Sequence, residues 1–357
     1  IGGWFETAEG IAEIARWNGT QWTALGAGVD NVVNALAVMQ NGDLIAGGSF
    51  TTAGGVAVNS IARWDGATWS SMGSGMDSSV LALAVLPNGD LISAGYFRFA
   101  GGQRANRIAR WDGSAWSALG DGLGETVYTL AVLPNGRLVA GGPFISLGNG
   151  GVANRVALWD GATWSALGEG MNGEVDALAV MPTGKLIAGG TFTTAGGMAA
   201  NYVAVWDGSV WSGLGPGVNY FVRAVAVLPN NDVIASGPFT SAGSVIVNRI
   251  SRWNGTLWSA IGLGMIANVN ALAMYNGDLV AGGTFSRAAG IAAYSVARWT
   301  GSTWSAIGAG TNGTVYSMTT MPNGDLIVGG LFSAAGGVAA NNIARWNGSA
   351  WSALGAG

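Results

Sequence analysis

The sequence predicts an all-β propeller of four-stranded blades, and three observations carry that prediction. The motif WxGxxW occurs eight times, opening at Trp17, Trp64, Trp111, Trp159, Trp206, Trp253, Trp299 and Trp346, in steps of 46 to 48 residues. Between the motifs lie short apolar runs and turn residues, with no stretch of helical periodicity. Glycine supplies 62 of the 357 residues, more than twice the usual ~7%, without the period of collagen. Short antiparallel strands in a repeat of about 45 residues are the signature of propeller blades.

Each strand follows in order. In the second copy VLALAVLP at 80–87 meets DLISAGYF at 90–97 through Asn88-Gly89. Asn-Gly is the strongest short hairpin signal, because a type I′ turn needs positive φ at both central residues, and five of seven copies keep it. The third strand, IARW at 108–111, turns through Asp112-Gly113 into the fourth, WSALG at 116–120. The extra residue of one copy falls in the glycine-rich loop 147–151, and the missing residue of another at Tyr275-Asn276-Gly277, where loops tolerate change. Strands apolar on both faces suit sheets packed between neighbours. The Trp pairs are then inter-blade wedges of about 200 Å² each, and glycine pairs such as Gly47-Gly48 and Gly189-Gly190 admit a close neighbour.

The motif counts are unequal. A strand running through glycines to Phe also occurs eight times, ending at Phe5, Phe50, Phe97, Phe144, Phe192, Phe239, Phe285 and Phe332, whereas the AxAV-like run occurs seven times, starting near Ala35, Ala82, Thr129, Ala177, Ala224, Ala271 and Ser317. Residues 1–25 would therefore supply strands two to four of one blade, with seven complete blades following. This count favours eight blades, one lacking its innermost strand, over seven, in a single propeller domain over 1–357. The strand Gly2 to Phe5 would leave an unpaired edge at the channel, open to a strand from a longer parent chain or a partner.

Composition excludes much chemistry. Absence of Cys and His removes disulfides, thiol nucleophiles, thiolate metal sites and every Ser-His-Asp or Cys-His arrangement, and no metal or cofactor is expected. A net charge of −4 without blocks of either sign leaves no footprint for nucleic acid. The mean hydropathy of +0.36 belongs to strands, since no apolar stretch approaches the roughly 20 residues of a membrane span. The Gly, Ser, Thr, Asn and Trp bias with a single lysine, Lys185, leans towards an extracellular or cell-surface place as part of a longer secreted protein. Sequons at Asn18, Asn254, Asn312 and Asn347 would matter only in a eukaryotic secretory route.

The wording NGDLIAGG (41–48), NNIARWNG (341–348) and WSALG (116–120) resembles the kelch repeat, closest to the repeats of fungal cell-polarity cortical markers and of secreted bacterial kelch-like proteins. The resemblance covers essentially the whole chain. It implies a propeller strongly and a function weakly, because kelch propellers include enzymes, adaptors and adhesins. Galactose-oxidase-like copper enzymes share the architecture, yet their site needs His ligands and a Cys crosslinked to Tyr, which this chain lacks.

Repeated polar residues read as structural. Arg16, Arg63, Arg110, Arg252, Arg298 and Arg345 before the first Trp could form sugar platforms, but are expected to lie along Trp faces while the following Asp or Asn starts a turn. Asn59, Asn106, Asn154, Asn201, Asn248 and Asn341 are expected to cap loops, and Asp43, Asp90, Asp232, Asp278 and Asp325 to be hairpin residues. Arg98, Arg104 and Arg107 form a basic spot expected to be solvated.

What varies inside a constant frame is the better functional signal. Just before the AxAV run the copies carry Asn34, Leu81, Tyr128, Asp176, Arg223, Asn270 and Tyr316, and in kelch propellers that segment opens at the channel mouth. Asn34, Tyr128, Asp176, Arg223, Asn270 and Tyr316 are accordingly the ligand-binding candidates. Glu174 and Asp176 alternate along one strand as an acid pair could in sugar hydrolysis, but only one copy has the pair, and no residue is assigned a catalytic role. The expectation is a non-enzymatic binding or scaffold module with a protein or glycan partner. A lectin-like carbohydrate binder is the alternative, and a polysaccharide-acting enzyme the third reading.

Overall fold

The computed structural model describes residues 2–6, 12–17, 22–25, 28–320, 324–340 and 343–353. Strands are the only regular elements among them. In the first complete repeat Val33–Val38, Leu44–Gly48, Ile61–Trp64 and Trp69–Ser71 pair antiparallel in chain order. Six more sheets repeat this order, with first strands Val80–Val85, Thr129–Val132, Val175–Val180, Ala224–Val227, Val269–Tyr275 and Thr314–Thr320. We number these blades 1 to 7. Their first strands lie against one another from blade 1 to blade 7 and form the inner ring.

The fold is therefore an all-β propeller of seven four-stranded blades, and the expected eight is corrected. The N-terminal segment carries no AxAV run, so it forms a sheet of three strands only, Gly2–Glu6, Ala12–Trp17 and Trp22–Ala24. Its first strand touches the inner strand of blade 1 and the second strand of blade 7.

Successive blades interlock through the tryptophan pairs. Within each of the seven blades the two rings stand 5.3 to 5.5 Å apart, tilted by 50 to 56°, inside the separation range of favourable aromatic pairs. The second Trp is buried in every blade, and its indole N–H reaches back to the preceding unit. Trp116 donates to the Met72 carbonyl, Trp164 to Leu119, Trp211 to Leu167 and Trp258 to Leu214, each at 2.7 Å, while Trp69 donates to Leu25. The first Trp is buried in blades 1 and 3 and half-buried in the others, less uniform than a ring of wholly buried wedges. The side chains of Trp17 and Trp22 lie outside the described residues. Gly120, in the tail of blade 2 at φ +60, makes room for blade 3: a Cβ there would meet the Trp159 ring at 2.8 Å. A Cβ on Gly47 would stand 2.5 Å from Val80 of blade 2, so the glycine pair lets the inner strands close up.

Three local details differ from the sequence reading. Asn41-Gly42 and Asn88-Gly89 do not form two-residue type I′ turns, because only the glycine takes positive φ. The bonds Gly89 N–H to Leu86 O and Leu86 N–H to Asp90 O enclose a three-residue loop instead. The shortened copy, with Asn276 at φ +49 and Gly277 at +84, does form the type I′ turn. In six blades a two-residue ribbon, such as Thr52–Ala53 with Val56–Ala57, is inserted between the second and third strands. Blade 3, with its longer loop, has only the single bridge Ser146 to Val152 there.

The third correction concerns the repeated arginines. Neighbours on a strand point to opposite faces, so Arg63 cannot lie along Trp64. It pairs instead with the turn acid of its own blade, Arg63 to Asp43 at 2.6 Å. The same pair recurs as Arg110 to Asp90, Arg252 to Asp232, Arg298 to Asp278 and Arg345 to Asp325, all within 2.7 Å. In blades 3 and 4 the turn carries Arg137 and Lys185, and the partner position carries Leu158 and Val205. The acid after the first Trp of the motif behaves as expected: Asp112 accepts from the Ser114 and Ala115 N–H groups, and the Ala115 bond first, then Ser114, lowers its carboxyl to about 2.

Arg252→Ala would leave the nearly buried Asp232 carboxylate without its cation. The expected loss is about 1–2 kcal/mol, allowing for the exposure of the arginine. The double change Asp232→Lys with Arg252→Val, the residues blade 4 carries, should recover most of it in denaturant unfolding. No recovery would show that the two positions do not act as a pair.

Candidate functional site

The copy-variable residue owes its position to a break in the ladder. The register between the first and second strands shifts at Asn34, Leu81, Asp176, Asn270 and Tyr316, so each stands in a β-bulge. In blades 3 and 5 Tyr128 and Arg223 come immediately before the strand. A bulged residue is left out of the regular pairing and its side chain is re-aimed, a device common beside binding sites. The repeat consequently places no packing demand on this residue, which explains how five chemically different side chains occupy one position.

The structure brings five of the six candidates together. Tyr128, Asp176, Arg223, Asn270 and Tyr316, from blades 3 to 7, line one cavity of about 550 Å³ at the mouth, within the roughly 300–1,000 Å³ of small-ligand sites. Asn34 of blade 1 is not among its lining residues. Its amide donates to the Val80 carbonyl of the next blade at 2.9 Å, and Asn270 makes the equivalent bond to Val315 at 3.0 Å. Asn at this position thus braces adjoining blades, and Asn270 keeps its carbonyl oxygen and one amide N–H for a ligand.

Three further lining residues, Glu174, Thr191 and Phe221, were not ligand candidates in the sequence, where Glu174 entered only as half of an acid pair. A signal existed: two residues before the bulge the copies read Val32, Ser79, Thr126, Glu174, Phe221, Asn268 and Thr314, as varied as the bulge itself. The Thr191 hydroxyl accepts from the Glu174 backbone N–H at 2.9 Å, fixing the approach to the bulge.

Charge is mixed and close-set. Burial, then the neighbouring Glu174, pushes the Asp176 carboxyl up to about 6 against the opposing pull of Arg223. Burial followed by the charge of Glu174 also raises the Tyr128 hydroxyl. The Arg223 guanidinium lies over the Phe221 ring at 5.3 Å, a cation–π distance. Among the described residues no protein hydrogen bond or ion pair engages the side-chain polar atoms of Asp176, Arg223, Tyr128 or Tyr316.

Elsewhere the repeated polar side chains are used internally. Asn106 donates to the Asp121 carbonyl at 2.8 Å and Asn154 to Glu169 at 2.9 Å, with Asn59, Asn201 and Asn248 repeating the bond; Asn341 lies outside the described residues. In the basic spot Arg107 donates to the Tyr96 carbonyl and Arg104 to Asn106. No group of three or more acidic side chains suited to a metal ion occurs among the described residues.

Comparison with known proteins agrees on architecture. A family model described as "Domain of unknown function (DUF5122) beta-propeller" matches residues 322–348. No curated protein matches the chain by sequence. Among solved structures the chain is similar to a chain of a mitotic checkpoint complex, at TM-score 0.52 and 15% identity over 88% of this chain and 86% of that one. It is also similar to the WD40 β-propeller domain of Doa1, at 0.50 and 14% over 89% and 93%. A third likeness is to the extracellular domain of a putative hybrid two-component system from B. thetaiotaomicron, at 0.52 and 11% over 88% of this chain and 38% of that one. At such identities the likeness is one of fold, and it supports a β-propeller repeat protein without singling out the kelch type.

The raised Asp176 carboxyl has a sign-definite consequence. Its folded value, about 6, lies above the ordinary 3.8, so between about pH 4 and 6 the folded chain holds a proton that the unfolded chain has released. Stability therefore falls as pH rises through that window, and the full penalty stands above it. Asp176→Asn should stabilise the protein at pH 8 by about 1 kcal/mol after discounting for solvent screening, and leave it unchanged near pH 4. Equal effects at both values in thermal melts would contradict the burial of this charge.

Proposed function

We propose that the chain is a non-enzymatic binding module whose rigid ring holds a ligand at the mouth cavity. The observation that carries this reading is the contrast in polar bookkeeping: among the described residues the recurrent loop asparagines and the Arg–Asp pairs are engaged within the protein, whereas Tyr128, Asp176, Arg223 and Tyr316 converge on one cavity with no protein hydrogen bond or ion pair at their side-chain polar atoms. Polar groups so placed are available to a ligand. A partly buried carboxylate at a cost in stability is also what a site, and not a scaffold, maintains.

The kelch-like motifs and the cysteine-free, lysine-poor composition support reading the chain as a kelch-type module outside the cell, a single propeller unit over 1–357. A second contact is favoured by the N-terminal sheet. Among the described residues Gly2–Glu6 pairs only with Ala12–Trp17, and Val38 of the adjoining inner strand is 64% exposed, so a partner's extended strand would find an open edge beside an apolar surface.

Changing Arg223 and Tyr316 together to Ala should leave the melting temperature nearly unchanged, since both are exposed. It should also abolish retention of those ligands that the wild-type protein captures from a glycan array and a peptide-display library. Equal retention by both proteins, or no ligand captured from either library, would overturn binding at the mouth.

For the edge, a synthetic peptide copying residues 314–325 should raise the melting temperature when added in trans. Absence of any shift at saturating peptide would remove the strand-addition reading.

A further inference from the structure

We infer that the mouth cavity takes an uncharged saccharide, its ring stacked on a tyrosine and its neighbouring hydroxyls shared between Arg223 and the carboxylates. This rests on the mouth being the binding site, and adds the chemical class of the ligand.

The lining excludes the alternatives by charge. Glu174 and Asp176 repel a phosphate or carboxylate ligand, and Arg223, set beside them, offsets the pull they would exert on an ammonium group. Arg223 already covers Phe221, so the aromatic face that would otherwise attract a cation is occupied from within the protein. An entirely apolar ligand would leave a guanidinium, two carboxylates and two phenols to lose water without gaining partners. A neutral molecule rich in polar groups meets none of these objections.

The donor and acceptor pattern narrows the class further. A hydroxyl both donates and accepts, so a pair of adjacent ring hydroxyls is best met by a donor and an acceptor side by side. Arg223 offers only donors and Glu174 only acceptors, while Asn270, with one amide N–H engaged by Val315, offers its carbonyl oxygen as acceptor and its second N–H as donor. The phenols of Tyr128 and Tyr316 do both. Their flat faces suit the C–H face of a pyranose ring, and Tyr316, 55% exposed, stands where a second ring of an oligosaccharide would extend from the opening. Burial holds the Asp176 carboxyl up to about 6, so it can serve as donor or acceptor in mildly acidic solution and as acceptor above it.

The test is calorimetric titration with neutral hexaoses of glucose (β-1,4 and α-1,4), xylose and mannose, beside an oligogalacturonate and a chitosan oligomer of similar length. At least one neutral oligosaccharide should bind the wild type and weaken about tenfold or more in Tyr316→Ala and, separately, in Arg223→Ala. Arg104→Ala, on the loops of another blade, should bind as the wild type does. Tighter binding of the anionic or cationic oligomer, or no oligosaccharide binding at all, overturns the inference. If no oligosaccharide binds but a captured peptide is lost in the Arg223 and Tyr316 double variant, the ligand class falls and the mouth stands. If an oligosaccharide binds and the mouth variants bind it equally, both fall. Cleavage of a bound oligosaccharide upholds the class and overturns the non-enzymatic reading.

Discussion

The bond from the second tryptophan of each blade to the carbonyl of the preceding unit is the contact on which the ring depends. A single blade cannot bury two apolar faces, so its stability comes from neighbours, as in other repeat proteins. The indole supplies both the buried area and a directional bond: Trp164 fills the junction with blade 2 and satisfies the Leu119 carbonyl at once. Glycines such as Gly120 follow from this, because the tail they belong to passes directly beneath the rings. The apolar composition, the tryptophan count and the glycine excess are thus consequences of one geometric demand.

Once blades are locked in this way, the frame uses the polar residues that recur from copy to copy. Arg–Asp pairs close the inner hairpins, and asparagines tie the third-strand approach to the outer tail. The cavity at the mouth gathers several side chains that this frame does not use, and it has the mixed sign and aromatic content of a recognition surface and not of a solvated rim. Two of the variable positions, Asn34 and Asn270, belong partly to the frame, since their amides bridge to the next inner strand.

Much of this was legible in the sequence because the repeat is regular: strand positions, loop sites and the function of Gly47 follow from spacing and residue size. That five variable positions share one cavity could be anticipated from their common place in the repeat, but the sequence does not show the bulge that aims three of them, Asp176, Asn270 and Tyr316. The blade count was misjudged because three strand motifs at 1–25 look like a blade on paper, while a four-stranded sheet requires an inner strand that the segment lacks. The Arg63 to Asp43 pair joins residues 20 apart and is invisible when each repeated position is read by itself. Their joint replacement at Arg137 with Leu158 and Lys185 with Val205 was the clue. Asn-Gly read alone predicts a two-residue turn, whereas the preceding Pro87 joins Asn88 and Gly89 and lengthens the loop to three.

The bulge has a consequence for how such a protein changes over time. A side chain outside the ladder carries no register, so exchanging it does not disturb the pairing of its own blade or the tryptophan seat of the next. Each blade then contributes one replaceable character to a shared rim, while neighbouring characters remain physically coupled because they face the same volume. Duplication of a repeat copies the frame together with its rim residue, and later drift at that residue alone is enough to give the copy a distinct chemistry. A ring built on these terms can acquire a new ligand by substitution at its rim without first finding a new way to fold.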